Sequence, residues 1–240
     1  MIPLGSEKLF SILGLRVTDT VTGTLLTDLV IIAFVVLVYR GIKIVPGKLQ
    51  NAFEMLIEYF YATTKDIAGE RAGSIFPWFA SFFLFIFTAN ILGLMPGYGL
   101  FEVKVGGEMV PFFRAPSSDL NTTLALAVIS VVATHVLSIR FTGIKGYLGR
   151  FFSLNPILLF VGFLELVAEV TKLISFSFRL FGNIFAGEMV IGKVSSLFAF
   201  VAPLPFLVLE IIVATVQALI FAALTMAFMS IFTEQHGESH

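Results

Sequence analysis

The stretch NPILLFVGFLELVAEVTKLISFSFRLFGNIFAGEMVIGK, residues 155–193, decides how the rest of the chain is read. Asn155-Pro156 is an N-cap followed by the residue best suited to the first helical position, and no further proline occurs up to Lys193. At 1.5 Å per residue such a helix is roughly 55 Å long, against a bilayer hydrocarbon core of roughly 30 Å. A membrane would oblige it to tilt, bend or protrude. The helix is apolar except for Glu165, Glu169, Lys172, Arg179, Asn183, Glu188 and Lys193 and a few hydroxyl side chains. With Glu165 at zero and about 100° per residue, Glu169 falls near +40°, Lys172 near −20°, Arg179 near −40° and Asn183 near zero. These five form one stripe, and Glu188, near 140°, lies on another face.

The composition outside this stretch places the whole chain in a membrane. Hydrophobic residues make up 58% of the 240 and charged residues 13%, and the mean hydropathy is +0.98. A soluble domain carries roughly 25% charged residues, so this chain could not cover a water-facing surface. Lys+Arg 15 against Asp+Glu 16 leaves a net charge of −1, with no basic excess for nucleic-acid phosphates. Having no cysteine, the chain can form no disulfide, thiolate nucleophile, iron–sulfur cluster or cysteine-ligated zinc site. His135, His236 and His240 are too scattered for a metal site, and no cofactor is expected. Residues 1–15 lack the basic start and long apolar core of a cleaved leader.

Working outward, the pattern predicts an all-α polytopic protein of about five spans in a single membrane-embedded domain. An N-terminal segment, 1–20, precedes a first span at 21–39. An amphipathic helix follows at 47–71, with Phe53, Leu56, Ile57 and Phe60 at helical spacing among Lys48, Glu54, Glu58, Lys65 and Asp66; it reads as lying in the headgroup zone, or as a soluble linker helix. Further spans are expected at 75–95, before Pro96-Gly97, and at 120–139, after the start signal Pro116-Ser117-Ser118-Asp119. The helix 155–193 and a last one at 197–232, bent near Pro203 and Pro205, form a long tilted hairpin before the tail 233–240. The basic clusters at 40–48 and 140–150 fall on one side, which positive-inside bias makes the cytoplasm, together with the C-terminus.

Charges inside spans are expensive, at least about 2.5–3.5 kcal/mol each near mid-membrane. Ion pairs that hold helices together account for Glu169 with Lys172, spaced i,i+3, and snorkelling accounts for Lys193. Neither accounts for Arg179, which has no acid three or four residues away. A guanidinium is a fixed positive charge that cannot relay protons, whereas Glu188 and Glu210 can load and release them. Three classes remain open on the residues alone: a barrier between two proton paths, an autonomous secondary transporter or ion channel, and a scaffold whose buried charges dock other subunits. No repeat or interrupted midplane helix favours the transporter.

The segment Ser177-Phe178-Arg179-Leu180-Phe181-Gly182-Asn183-Ile184-Phe185-Ala186-Gly187-Glu188 closely resembles the hallmark of subunit a of F-type ATP synthases. Val45-Pro46-Gly47-Lys48, Asp119-Leu120-Asn121-Thr122-Thr123, Asn155-Pro156 and Gln217-Ala218-Leu219-Ile220-Phe221 follow the same family's order. The resemblance implies a stator subunit beside a ring of c subunits, with b-type peripheral stalk subunits and the remaining synthase subunits as partners, in an energy-coupling membrane such as the bacterial plasma membrane. It implies that Arg179 faces the ring carboxylate and keeps two half-channels apart. Glu188 and Glu210 match positions lining the outer half-channel, Asn183 and Gln217 match polar positions near the arginine, and Asp119 and Asn121 match the outer mouth. Glu165, with Ser175 nearby, matches the cytoplasmic half-channel. The chain departs from some members in having glutamate at both Glu188 and Glu210, where those place one histidine. His135 matches no motif of the family and reads as a packing histidine. No phosphate-binding loop is present, so ATP chemistry is not expected in this chain.

Overall fold

The computed structural model describes residues 6–12, 15–95, 98, 101–105, 107–151, 156–197 and 203–234. The expected N-cap Asn155, the Pro96-Gly97 break and the tail beyond Glu234 lie outside the described residues. The described residues form six α-helices and two short β-hairpins: β1 (Lys8–Ile12), β2 (Leu15–Thr18), α1 (Asp19–Gly41), α2 (Lys48–Ala68), α3 (Ala72–Leu94), β3 (Glu102–Val105), β4 (Glu108–Pro111), α4 (Leu120–Phe151), α5 (Pro156–Leu197) and α6 (Pro203–Thr233). It is an all-α polytopic membrane protein. Among the described residues four stretches, within Asp19–Gly41, Gln50–Leu94, Leu120–Phe151 and Pro203–Thr233, are long and apolar enough to cross a bilayer. Helix α5 runs for 42 residues and carries the six charges of the stripe and its flanks. Leu25, Leu29, Ile32 and Leu37 of α1 are each more than 60% exposed, an outward apolar surface suited to lipid and not to water.

Some elements differ from the sequence expectation. Helix α4 continues to Phe151, well past Ile139, with one non-helical residue, Gly143, at φ 74° and ψ 164°. Glycine reaches that positive φ without a Cβ clash, so the helix changes direction there and resumes. Pro203 and Pro205 do not bend the last helix: α6 starts at Pro203, where a missing N–H costs nothing. The two hairpins were not anticipated, because strands of four or five residues leave too little alternation to read.

The chain divides into two compact units. The first comprises Met1–Ile42, Phe82–Thr123 and Ser177–Ile220; the second comprises Lys43–Ser81, Leu124–Phe176 and Phe221–His240.

In the first unit, β1 and β2 pair antiparallel with Phe10 opposite Val17, and Thr18 caps α1 by accepting from the Val21 N–H. The Arg114 N–H donates to the Asp19 carbonyl at 3.2 Å. Gly23 makes this approach feasible, since a Cβ there would overlap the Arg114 carbonyl. The β3–β4 hairpin sets Glu102 opposite Pro111, and a 3-10 turn at Pro116–Ser118 leads into α4.

In the second unit, Gly69 closes α2 at φ 56°, its N–H donating to the Lys65 carbonyl. The Ser138 hydroxyl donates to the Phe232 carbonyl at 2.6 Å, Ser130 and Thr225 share a hydrogen bond of 2.8 Å, and Ser230 donates to the Ile67 carbonyl at 2.9 Å. Hydroxyl-to-backbone bonds and small residues bind helices where lipid removes the hydrophobic difference between inside and outside. Gly162 has the Phe151 carbonyl against it, closer than any side chain allows.

Candidate functional site: two sets of charged side chains

The first unit gathers its acids from three places. Asp19 opens α1 and is 1% exposed. Its Oδ1 accepts from the N–H groups of Glu7 at 3.0 Å and Thr20 at 2.8 Å, while Oδ2 is buried with no hydrogen-bond partner among the described residues. Glu188 on α5 has Arg114, Glu210 and Asp19 as charged neighbours and Ser118 within hydrogen-bond reach. Glu210 on α6 is 7% exposed, its Oε1 again without a hydrogen-bond partner among the described residues. Its carboxyl group lies directly against Gly187, where a Cβ would overlap it. The Arg114 Nε donates to Ser118 Oγ at 3.2 Å and the guanidinium reaches the Ser118 carbonyl at 3.5 Å.

Tyr98 completes the surroundings. Burial first, and then the carboxylate of Glu188, push its phenol up to about 12, so the hydroxyl keeps its proton throughout the physiological range. Glu188 with two acids and only one guanidinium for neighbours is a set that cannot be fully ionised cheaply in a dry site, since each uncompensated charge costs on the order of several kcal/mol. What such a set can do is exchange protons. Buried oxygens without protein partners are the kind that ordered water satisfies.

The other residues expected on the outer side fall out differently. Asp119 is buried, and its Oδ1 accepts from the Asn121 N–H at 2.9 Å and the Asn121 Nδ2 at 3.1 Å. The pair thus caps the start of α4, while Asn121 itself is exposed. Arg179 lies on an exposed face of α5 with Gly182, Ala186 and Val190, beside Phe178, which is 57% exposed. Asn183 on α5 and Gln217 on α6 are half-buried.

In the second unit every charge in the set has a partner. Glu165 and Arg150 form a short ion pair, and the Arg150 guanidinium lies over the Phe232 ring at 4.0 Å. The Lys172 Nζ donates to Glu169 Oε1 at 2.6 Å and sits over the rings of Phe228 and Phe232 at 4.0 and 4.5 Å. His135 meets Phe232 and Tyr147 edge-on and so does pack, as expected. It also carries contacts the sequence does not suggest: Nδ1 shares a hydrogen bond of 3.2 Å with the Tyr147 hydroxyl, and Nε2 is 3.5 Å from Glu169 Oε2. Ser175 is exposed on α5. Among the described residues no three acids, histidines or cysteines could hold a metal ion.

Sequence reasoning missed Asp19, Tyr98, Arg114 and Arg150. Asp19 stands one residue after a capping threonine and so looks like a routine helix start; Arg114 stands in a connection with both charge signs. The start of the apolar run at Asp19 was the one usable signal.

The family model described as ATP synthase A chain matches residues 21–230. The ATP synthase subunit a of Moorella thermoacetica is 29% identical over 229 residues, covering 95% of this chain and 97% of that protein. The ATP synthase subunit a of Syntrophobacter fumaroxidans is 33% identical over 231 residues, covering 95% of this chain and 89% of that protein.

Proposed function

The chain belongs to the ATP synthase A chain family, and from that premise we propose that it forms the two proton half-channels of the membrane stator, with Arg179 as the electrostatic gate. Its partners in this reading are a ring of c subunits, b-type peripheral stalk subunits and the remaining subunits of the synthase. The membrane in this reading is an energy-coupling one, the bacterial plasma membrane first and an organelle inner or thylakoid membrane as the alternative, with the C-terminus in the cytoplasm.

The carrying observation is that Arg179 is exposed on the face of α5 that also bears Gly182, Ala186 and Val190. A guanidinium cannot lose its proton, so one held outward at membrane depth suits a carboxylate presented by a neighbouring subunit. Small residues at Gly182 and Ala186, on the same face, admit a close helix.

The mechanism follows from charge. A proton reaches the ring carboxylate through the set around Glu188 and Glu210, with Asp119 and Asn121 at the outer mouth and Asn183 and Gln217 close to the gate. On arriving at Arg179 the ring carboxylate ionises, because the fixed cation stabilises the anion, and its proton leaves by way of Glu165 and Ser175. The same cation repels a bare proton, so protons cannot pass from one half-channel to the other without the ring. Each charge crossing 100 mV releases about 2.3 kcal/mol, so several must cross per ATP.

The test is Arg179→Lys in the assembled complex. Retained charge with altered geometry is expected to leave assembly intact and abolish ATP-driven proton pumping in vesicles. A docking role would tolerate the lysine, and intact pumping overturns the gate. A cysteine placed at Asn183 is expected to cross-link to one beside the ring carboxylate.

A further inference from the structure

Tyr147, His135, Glu169 and Lys172 form a connected polar chain that none of the roles above uses. The Tyr147 hydroxyl is 3.2 Å from one ring nitrogen of His135, and the other ring nitrogen is 3.5 Å from Glu169 Oε2. Glu169 Oε2 is buried and makes no hydrogen bond among the described residues, while its second oxygen is fixed by Lys172 at 2.6 Å. Tyr147 stands beyond the Gly143 interruption of α4, in the segment that bears Lys145 and Arg150. The chain therefore leads from the polar end of α4 to a carboxylate on α5, all within the second unit.

We propose that His135 is a proton-transfer residue that works with Tyr147 and Glu169 as a relay in the second unit, in addition to Glu165. This rests on the proton-channel reading given above. An imidazole can take a proton on one nitrogen and give one up from the other, and here the two nitrogens face different oxygen groups.

In the resting state the ring is neutral with its hydrogen on Nε2, and Tyr147 donates to Nδ1. A hydronium ion from water at Tyr147 delivers a proton to Nδ1, the tyrosine hydroxyl turning to accept. The imidazolium then passes the Nε2 proton to the Glu169 carboxylate, leaving a neutral ring with its hydrogen on Nδ1 and a neutral carboxylic acid. Reversal or a second exchange with water restores the starting tautomer. The 3.5 Å separation shortens when the ring is charged, as hydrogen bonds of working proton-transfer groups commonly do. Lys172, held between Glu169 and two phenyl rings, sets the carboxylate's position.

The groups facing His135 are Glu169, Lys172 and Glu165 from α5, Arg150 and Tyr147 from its own helix, and the Phe232 ring from α6. Two acids and two cations balance in the resting state, so an arriving proton is an added charge, held first by the imidazole and then by the Glu169 carboxylate. A purely structural histidine would show this packing too, which is why the test uses readouts that packing does not move.

The complete synthase carrying His135→Gln is reconstituted in vesicles, and ATP-driven pumping is followed against pH. Pumping is expected to fall about tenfold or more, the pH profile to lose the imidazole titration, and added imidazole to restore part of the rate in His135→Ala. Tyr147→Phe keeps its ring contacts and is expected to lower the rate several-fold, with the same flattened profile. It decides the matter if His135→Gln fails to assemble. An unchanged rate and profile in Tyr147→Phe or His135→Gln overturns the relay, as does a loss that is uniform with pH and untouched by imidazole. Arg179→Lys in the same preparation separates the two readings: if it pumps, the channel reading fails, and if it alone is inactive, only the relay fails.

Discussion

Glu188 of α5 has the carboxyl groups of Asp19 from α1 and Glu210 from α6 and the Arg114 guanidinium as its charged neighbours, and both of those neighbouring acids hold an oxygen with no hydrogen-bond partner among the described residues. Around Glu169, each acid has a cation of its own: Lys172 for Glu169 and Arg150 for Glu165, with both cations also lying over phenyl rings. The residue types are alike, and the balance is not. A set with surplus acid takes up a proton without breaking an ion pair, while in a compensated set a proton taken up weakens one. The same substitution, glutamate to glutamine, is therefore expected to cost function alone in the first unit and both function and stability in the second.

Glu210→Gln gives the largest expected effect. It removes a proton-binding group whose Oε1 contributes no hydrogen bond to the fold. ATP-driven pumping should drop by about a hundredfold or more, while thermal stability of the detergent-solubilised complex changes by no more than about 0.5 kcal/mol. A large stability loss without a pumping defect would show that the acid surplus is structural. Glu165→Gln should lower stability as well as pumping. It strands the half-buried Arg150, and the expected destabilisation is about 2 kcal/mol, reduced from the fully buried case because both side chains are partly exposed. Replacing Arg150 as well, by Gln, should recover most of it. If the double variant is no better than the single, the pair is not what stabilises the second unit.

Gly187→Ala probes the first unit more finely. The added methyl meets the Glu210 carboxyl group, the far end of a flexible side chain, so the acid must move and the backbone need not. Pumping is expected to fall roughly tenfold, as misplacement of a proton-transfer group does, with little loss of stability. Combining it with Glu210→Asp, which withdraws the carboxyl group, should restore more activity than either change retains alone.

What the sequence disclosed follows the same division. The stripe Glu165, Glu169, Lys172, Arg179 and Asn183 lies on one helix, where a fixed rotation per residue makes neighbours calculable. The i,i+3 pair Glu169–Lys172 could be named from spacing, and it forms. Nothing comparable links Asp19, Arg114 and Glu188. They are brought together by two short hairpins and by Gly23, which admits the Arg114 carbonyl against α1. Pairing between helices is equally hidden: His135 and Glu169 meet only because α4 and α5 adopt one relative register, and apolar filler of near-uniform hydropathy carries no register signal. Even Pro203 and Pro205 misled for a local reason, since a proline both breaks a helix and suits its first turn.

The smallest expected effect comes from Tyr98, which borders the acid-rich set without exchanging protons in the working range. Its phenol titrates near about 10 in an unfolded chain and at about 12 in the folded one. Below about pH 10 both states are protonated and the residue contributes no pH dependence. Between about 10 and 12 the unfolded chain alone gives up the proton, so stability falls as pH rises through that window. Two units correspond to no more than about 2.7 kcal/mol, and partial exposure of the ring lowers the figure to about 1 kcal/mol. Tyr98→Phe should flatten this alkaline loss and leave stability at pH 7 unchanged or slightly improved, because the hydroxyl it deletes makes no hydrogen bond among the described residues. Thermal midpoints of the two complexes at pH 7 and pH 11 measure it. An identical alkaline loss in both would mean that neither burial nor Glu188 holds the phenol proton, and Tyr98 would then not belong to the surroundings of the acid-rich set.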